Sequence, residues 1–244
     1  MMDFILTYHR YSERSILIEW PQDIDENILE DIMLFKNYLE GLGLKSIVDI
    51  ISAYNSMLII YNEAIDNIND AFLTLKRYYI KRKLGQSQTS RLWQIPVCYD
   101  ESFGWDLQEI SNKNMLSKGD LVRLHCQAIY RVYFIGFLPG FLYLGGLNGR
   151  LHFPRKKTPR KRIEKGAVAI GGNQTGIYPN ESPAGWHVIG NCPLKLFCPS
   201  NAKPCFAKPG DRVQFYQVSK DEHQKICTAA EAGNFYIKHG VVDD

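Results

Sequence analysis

Apolar residues in the first third of the chain recur with two different periods. Over residues 23–40 they return at steps of three and four and stop before two glycines, which predicts an amphipathic helix. Residues 66–84 repeat the pattern and predict a second helix that ends at Gly85. Residues 2–8 and 14–20, separated by the polar turn HRYSE, predict short strands, as do SIVDIIS and MLIIYN.

These elements follow one another in the order ββαββα. The order predicts a small α+β domain over residues 1–88, with its helices on one face of an antiparallel sheet. Residues 89–244 then begin with the strand LWQIPVCY and two short helices, DLQEISNKNML and SKGDLVRLHCQ. Short strands rich in Gly and Pro punctuation (YRVYFIGF, GAVAIGG, GWHVIG, PLKLF and DRVQFYQV) predict a mainly-β barrel or sandwich over residues 130–218.

Composition narrows the class of protein. The 244 residues are 45% hydrophobic and 23% charged, and their net charge of +3 is too small to indicate a nucleic-acid partner. The N-terminal MMDFILTYHRYSER lacks the features of a signal peptide, and no apolar run reaches the roughly 20 residues of a membrane helix. We therefore predict a cytoplasmic protein without a membrane partner. The six cysteines form no CxxC pair, so we expect reduced thiols and no metal site.

The segment GFLPGFLYLGG alternates glycines with aromatic residues. Phe137, Pro139 and Gly140 form its centre, where a fixed proline angle beside glycine can bring backbone amides close to a ligand between aromatic walls. A tight barrel corner whose aromatic residues belong to the core is the alternative.

The run RKKTPRKR places six cations in eight residues, at 155–162. Arg155 and Arg160 are candidates for holding a phosphate or carboxylate, since guanidinium groups match both. A solvated surface is the alternative, and the run lacks the stacking aromatic residues of a nucleic-acid site.

The segment GGNQTGIYPNESPAGW combines glycine turns with many polar tips. Gln174 and Thr175 can each donate and accept hydrogen bonds, which suits recognition of an amide or lactam, and Tyr178 and Trp186 can supply walls. Turn chemistry alone is the alternative.

His125 is the histidine with the clearest case for catalytic acid–base chemistry, since it ends an amphipathic stretch beside a predicted strand. A packed histidine is the alternative, and His152 and His187 lie close enough to the motifs to replace it. No catalytic triad and no GxxxxGK[ST] nucleotide loop can be identified.

The motifs VYFIGFLPGFLYLGGL, PRKKTPR, GAVAIGGNQTGIYPNESPAGWHVIGNCPLKLF and PGDRVQF, in this order and spacing, resemble the B-subunit family of bacterial 5-oxoprolinase. Related members are described as allophanate hydrolase subunit 1 or as sporulation-kinase inhibitors. The resemblance implies a cyclophilin-like barrel in a hetero-oligomer with the A and C subunits of the enzyme, which opens 5-oxo-L-proline to L-glutamate with ATP. It departs at Ala184, where the family has glycine and a Cβ would be unfavourable if that glycine needs a positive φ.

The resemblance also implies that the chain is an enzyme subunit with little activity alone, that ATP is a co-substrate, with Mg²⁺, and that no cofactor is tightly bound. It leaves two alternatives: a regulatory protein that inhibits a sensor histidine kinase, and a carboxyltransferase-type partner that acts on urea.

Overall fold

Residues 4–82 and 89–242 are described by a computed structural model, and they belong to two compact units, residues 1–88 and 89–244. The first unit has the predicted order ββαββα: β1 (Thr7–Ser12), β2 (Ser15–Glu19), α1 (Glu26–Gly41), β3 (Ile47–Ser52), β4 (Ser56–Tyr61) and α2 (Ile68–Lys81). All strand pairs are antiparallel, in the spatial order β1-β2-β4-β3. Alternate residues of β2 and β4 are buried against both helices, as a sheet covered on one face requires.

Several boundaries of the first unit differ from those predicted; among them, the first strand begins at Thr7 and not at residue 2, and helix α2 begins at Ile68 and not at residue 66. The first strand includes residues 9–12, because this polar segment is a largely exposed edge strand that pairs with β2 through backbone groups. Helix α1 begins after Asp25, whose side chain accepts a hydrogen bond from the Asn27 amide. Helix α2 ends at Lys81, since Arg82 leaves the helical conformation; the predicted end at residues 84–85 lies outside the described residues.

The second unit contains β5 (Ser90–Val97), α3 (Leu107–Lys113), α4 (Lys118–Gln127), β6 (Ile129–Ile135), β7 (Leu142–Gly145), β8 (Arg160–Ile163), β9 (Ala167–Gly171), β10 (Gln174–Ile177), β11 (Ser182–Ala184), β12 (His187–Asn191), β13 (Arg212–Gln217), α5 (Lys220–Glu231) and β14 (His239–Val242). A 3₁₀ turn covers Gly149–Leu151. Strands β8 and β11 pair as a separate two-stranded sheet.

The barrel predicted for this unit is an open mixed sheet. Its eight strands run in the order β12-β9-β10-β7-β6-β13-β5-β14, and among the described residues no continuous ladder joins its two edges. The sheet is nevertheless curled, because Cys98, just after β5, forms a bridge with Asn191 at the end of β12 through two hydrogen bonds of 2.9 Å. The pairing of β13 with β5 is parallel.

Apolar side chains pack on both faces of this sheet. Val168 and Ile170 of β9 belong to the large inner core, whereas Ala167 and Ala169 of the same strand belong to a smaller aromatic cluster on the outer face. This alternation is the period of two that a strand imposes. In the parts of the chain that the structure describes, no helix is both long and apolar enough to span a bilayer.

Two further elements depart from the sequence prediction. Residues 193–197 (PLKLF) form no strand and make only an isolated bridge, between Phe197 and Cys205. Helix α5 is an addition to the predicted elements, although its start carries a complete capping box in which Ser219 and Glu222 bond each other's backbone amides.

Candidate functional site

His125 lies inside the second unit and is closed off from solvent. Its side chain on α4 is fully buried, and its ring stacks on Phe215 with 4.6 Å between ring centroids. Nδ1 lies 2.7 Å from the Tyr99 hydroxyl, and Nε2 lies 2.9 Å from the Thr175 hydroxyl. Burial lowers the pKa of His125 to about 3, so the ring is neutral near pH 7. The geometry fits a packed histidine and gives no support to acid–base chemistry on a ligand.

The hydrogen-bond partners of His125 fix its tautomer. The Thr175 hydroxyl donates to the carbonyl oxygen of Ala169 at 3.0 Å, so it must accept the Nε2 proton of His125. Nδ1 then accepts the hydroxyl proton of Tyr99. Thr175, predicted to read an amide ligand, therefore uses its hydroxyl inside the core.

The outer face of the same sheet carries the remaining motif residues. Gln174 precedes Thr175 on β10 and points to the opposite side of the sheet. Its cross-strand partner is Gly171, where a Cβ would overlap the indole of Trp186, so Trp186 lies beside Gln174. We call this surface the Gln174 face and define it by Phe141, Tyr143, Arg155, Gln174, Tyr178 and Trp186.

Gln174 is the buried polar group of this face. Its side chain is 9% exposed, and its Oε1 atom has no hydrogen-bond partner among the described residues. Leaving a buried amide oxygen unpaired costs about 1–3 kcal/mol, and folded proteins retain few such groups. The unpaired Oε1 atom leaves an acceptor that a water molecule or a polar ligand can satisfy.

Aromatic rings pack edge to face around Gln174. The centroid of Phe141 lies 4.9 Å from that of Tyr178 and 5.7 Å from that of Trp186, with interplanar angles of 81° and 76°. Tyr143 lies 4.7 Å from Phe141. Each such pair adds about 0.5–1.5 kcal/mol beyond burial, so the rings form rigid walls.

Arg155 supplies the positive charge of the Gln174 face. Its guanidinium carbon lies 5.7 Å from the Trp186 ring centroid, and the residue is exposed. Burial raises the pKa of Tyr178, Tyr143 adds to the rise, and Arg155 opposes it. Burial also raises the pKa of Tyr143 against the effect of Arg155, so both phenols stay protonated at neutral pH.

The rest of the basic run is largely engaged in ion pairs. Arg160 donates to both oxygens of the buried Asp106 at 2.6 and 2.7 Å, and Lys156 reaches the same carboxylate at 2.8 Å. Arg162 pairs with Glu181 at 2.6 Å. The predicted anion site at Arg160 is thus a salt bridge within the chain, and Arg155 alone of the two candidate arginines lies on the Gln174 face.

Asp106 is expected to make the stability of the second unit depend on acid. Burial by itself would raise its pKa, but the bonds from Arg160 and Lys156 and the Val188 amide lower it overall. Because the pKa of Asp106 is lower in the folded chain than in the unfolded chain, its ionised carboxylate stabilises the fold at any pH above the unfolded pKa of about 3.9. This stabilisation is lost as the pH falls through the folded-state pKa. Replacing Asp106 by asparagine should cost about 3 kcal/mol at pH 7. Urea unfolding should show this difference shrinking below about pH 4; a pH-independent difference would contradict the assignment.

The loop at Phe137 is backbone-strained and exposed. Phe137 has φ of 63°, which non-glycine residues rarely adopt. Its side chain is 66% exposed to solvent, and its ring contacts the ring of Phe141. Gly140 has φ of 87°, and a Cβ there would lie 2.7 Å from Phe197 Cβ, so glycine is required. Pro139 between them is exposed. Strain of this kind is concentrated at binding sites, which fits the edge of the Gln174 face.

The alternative histidines lie elsewhere. His152 is exposed, and its Nε2 lies 3.2 Å from the carbonyl oxygen of Leu147. His187 is buried, and its cross-strand partner is Ile170, a residue of the inner core. Burial lowers the pKa of His187, and the positive charge of Lys156 lowers it further.

The departure at Ala184 is accommodated by the fold. Ala184 is buried in β11, where it pairs with β8. The positive-φ residues other than glycine in the described chain are Met115 and Phe137, so Ala184 does not need the backbone conformation that favours glycine.

Sequence reasoning missed Asp106, and it placed Tyr143 only among the aromatic residues of the GFLPGFLYLGG loop, not among the site residues. Tyr143 lies within GFLPGFLYLGG, and its place opposite Gly176 follows only from the β7–β10 register. Asp106 carries no local signal, since its partner Arg160 is 54 residues away.

Comparison with known proteins identifies relatives over most of the chain. Residues 6–207 match the family described as carboxyltransferase domain, subdomain C and D. The 5-oxoprolinase B subunit of Bacillus subtilis is 34% identical over 222 residues, covering 86% of this chain and 92% of that protein. The protein of the same name from Haemophilus influenzae is 36% identical over 204 residues, covering 84% of this chain and 94% of its own.

A solved structure shares the fold. The crystal structure of TTHA0988 superposes with a TM-score of 0.72 at 31% identity over 84% of this chain. The match spans 40% of that longer protein. The chain belongs to the B-subunit family of 5-oxoprolinase, within the carboxyltransferase subdomain C and D proteins.

Proposed function

We propose that the chain is the B subunit of an ATP-dependent 5-oxoprolinase and helps to open 5-oxo-L-proline to L-glutamate together with the A and C subunits. The observation that carries the proposal is the unpaired, buried amide of Gln174 in a chain whose relatives bear this name. The Gln174 face is its site for the substrate.

A lactam suits the Gln174 amide. The side-chain amide of glutamine can donate to the lactam carbonyl and accept from the lactam N–H, giving two hydrogen bonds in opposite directions. Trp186 and Phe141 lie beside it as apolar walls that exclude water and so strengthen both bonds. Arg155, exposed beside Trp186, supplies the charge for the substrate carboxylate.

The Gln174 face supplies binding and leaves the chemistry to the partner proteins. Its polar groups are an amide, two phenols with raised pKa and a guanidinium, so no group on it is a base near neutral pH. Among residues 4–82 and 89–242, no group of three or more His, Cys, Asp or Glu side chains is placed to hold a metal ion. We place no ATP step on this chain. We therefore expect the isolated chain to be inactive.

A carboxyltransferase-type role on urea is the second candidate, favoured by the description of the matched family. Urea also presents amide N–H and carbonyl groups, so the same face would read it. That role requires a biotin-carrying partner, whereas the leading proposal does not.

Reconstitution tests the proposal. Purified A and C subunits, incubated with 5-oxoproline and ATP, should form glutamate only when this chain is added. Urea with a biotin-carrying partner serves as the parallel reaction. Undiminished glutamate formation without this chain would rule out the proposed role.

A further inference from the structure

A groove beside α4 lies apart from the Gln174 face. Its cavity of about 490 Å³ runs between one side of α4 and the strands β5 and β13. The polar residues of its lining are Arg123, Cys126 and Gln127 from the helix and Gln94, Gln214, Tyr216 and Gln217 from the strands. The volume falls in the range of small-molecule sites.

The chemistry of this groove is that of amides without net charge. Gln94 and Gln214 are direct cross-strand partners, so their side chains lie on the same face of the sheet, and neither side chain is hydrogen-bonded to another described residue. The Arg123 guanidinium is paired with Asp120 at 2.8 Å. A short, uncharged ligand with several amide groups matches this lining better than an anion does.

Two walls of the groove touch the same buried histidine. The Cys126 thiol donates to the Tyr99 hydroxyl at 3.5 Å, and Tyr99 in turn bonds His125. Phe215, also in the lining, stacks on the His125 ring. His125 bonds Thr175, the neighbour of Gln174 on β10. A continuous chain of contacts therefore runs from the groove through His125 to the strand that carries Gln174.

We infer that the α4 groove is a second binding site, for a short uncharged molecule bearing two or more amide groups, and that its occupancy is transmitted through His125 to β10. Through this coupling, a ligand in the α4 groove would regulate the Gln174 face, and this regulatory role rests on the proposed function of that face. The binding does not depend on that function.

The test is a titration of the isotopically labelled full chain with N-acetylglycinamide, followed by NMR. The side-chain amide signals of Gln94 and Gln214 should shift saturably, and the Thr175 backbone amide should shift with the same midpoint. The double variant Gln94→Leu, Gln214→Leu should raise the midpoint at least about tenfold, since two hydrogen bonds are lost. Gln108→Leu, at an exposed glutamine on α3, is the matched control and should leave it unchanged.

Several outcomes would overturn the inference. Absence of saturable shifts in the groove, or an unchanged midpoint in a double variant whose free His125 and Thr175 signals match those of the wild type, excludes the site. Saturable binding of sodium acetate in place of the diamide excludes the ligand class. Cys126→Ala should weaken the Thr175 response while the glutamine shifts persist; an unmoved Thr175 in the wild type excludes the transmission. None of these measurements requires 5-oxoprolinase turnover.

Discussion

Replacing Gln174 by leucine is expected to lower kcat/KM for 5-oxoproline in the reconstituted complex by about 100-fold, which corresponds to two lost hydrogen bonds of about 1–1.5 kcal/mol each. The same change should raise the stability of the chain by about 1 kcal/mol, because it removes a buried amide oxygen without a partner and keeps a similar volume. Kinetics and urea unfolding on one preparation measure both effects.

Opposite signs for activity and stability distinguish a ligand-binding amide from a structural one. A glutamine that served only the fold would lose stability and activity together. Gln108→Leu, at an exposed glutamine, is the control and should change both quantities little. A Gln174→Leu chain that is destabilised yet fully active would refute the assignment of the Gln174 face.

Replacing Asp31 by asparagine is expected to destabilise the first unit by about 3–5 kcal/mol, because the replacement leaves the Arg82 charge buried without its carboxylate. Asp31 is 5% exposed and accepts bonds from Trp20 Nε1 at 2.8 Å, from the Tyr79 hydroxyl at 2.5 Å and from Arg82 at 2.7 and 2.8 Å. Urea unfolding, followed by the fluorescence of the four tryptophans, of which Trp20 lies in the first unit, measures the loss.

Two controls separate the buried pair from an ordinary surface pair. The double replacement Asp31→Leu, Arg82→Met should recover much of the loss, because it removes both charges. Asp120→Asn, in the exposed pair with Arg123, should cost less than about 1 kcal/mol. A loss at Asp31 no greater than that at Asp120 would contradict the role of the network.

Local patterns in the sequence are sufficient to predict the order of elements in the first unit and the existence of most strands in the second. The period of apolar residues predicts α1 and α2, because each helix buries one face on a neighbouring sheet. The open, curled sheet is not predictable in this way, since its edges depend on which strands pair. The parallel pair β5 and β13 is distant in sequence and leaves no local signal.

The sequence predicts where the candidate site lies, but it does not predict what each residue of the site does. Gln174, Tyr178 and Trp186 do share one face, but Thr175 points inward because side chains alternate on β10. Arg155 and Arg160 are indistinguishable by composition, and only the distant Asp106 separates them. The catalytic interpretation of His125 finds no support in its complete burial.

The parallel pairing of β5 with β13 delays co-translational folding of the second unit. Trp93 on β5 bonds Asp211 at the start of β13, a partner 118 residues later in the chain. The edge of β5 that pairs with β13 therefore stays unpaired until most of the second unit has been synthesised. Contacts of such long range slow folding and leave strand edges open to other chains. Nascent chains that stall before residue 211 thus expose an apolar strand that chaperones would have to shield.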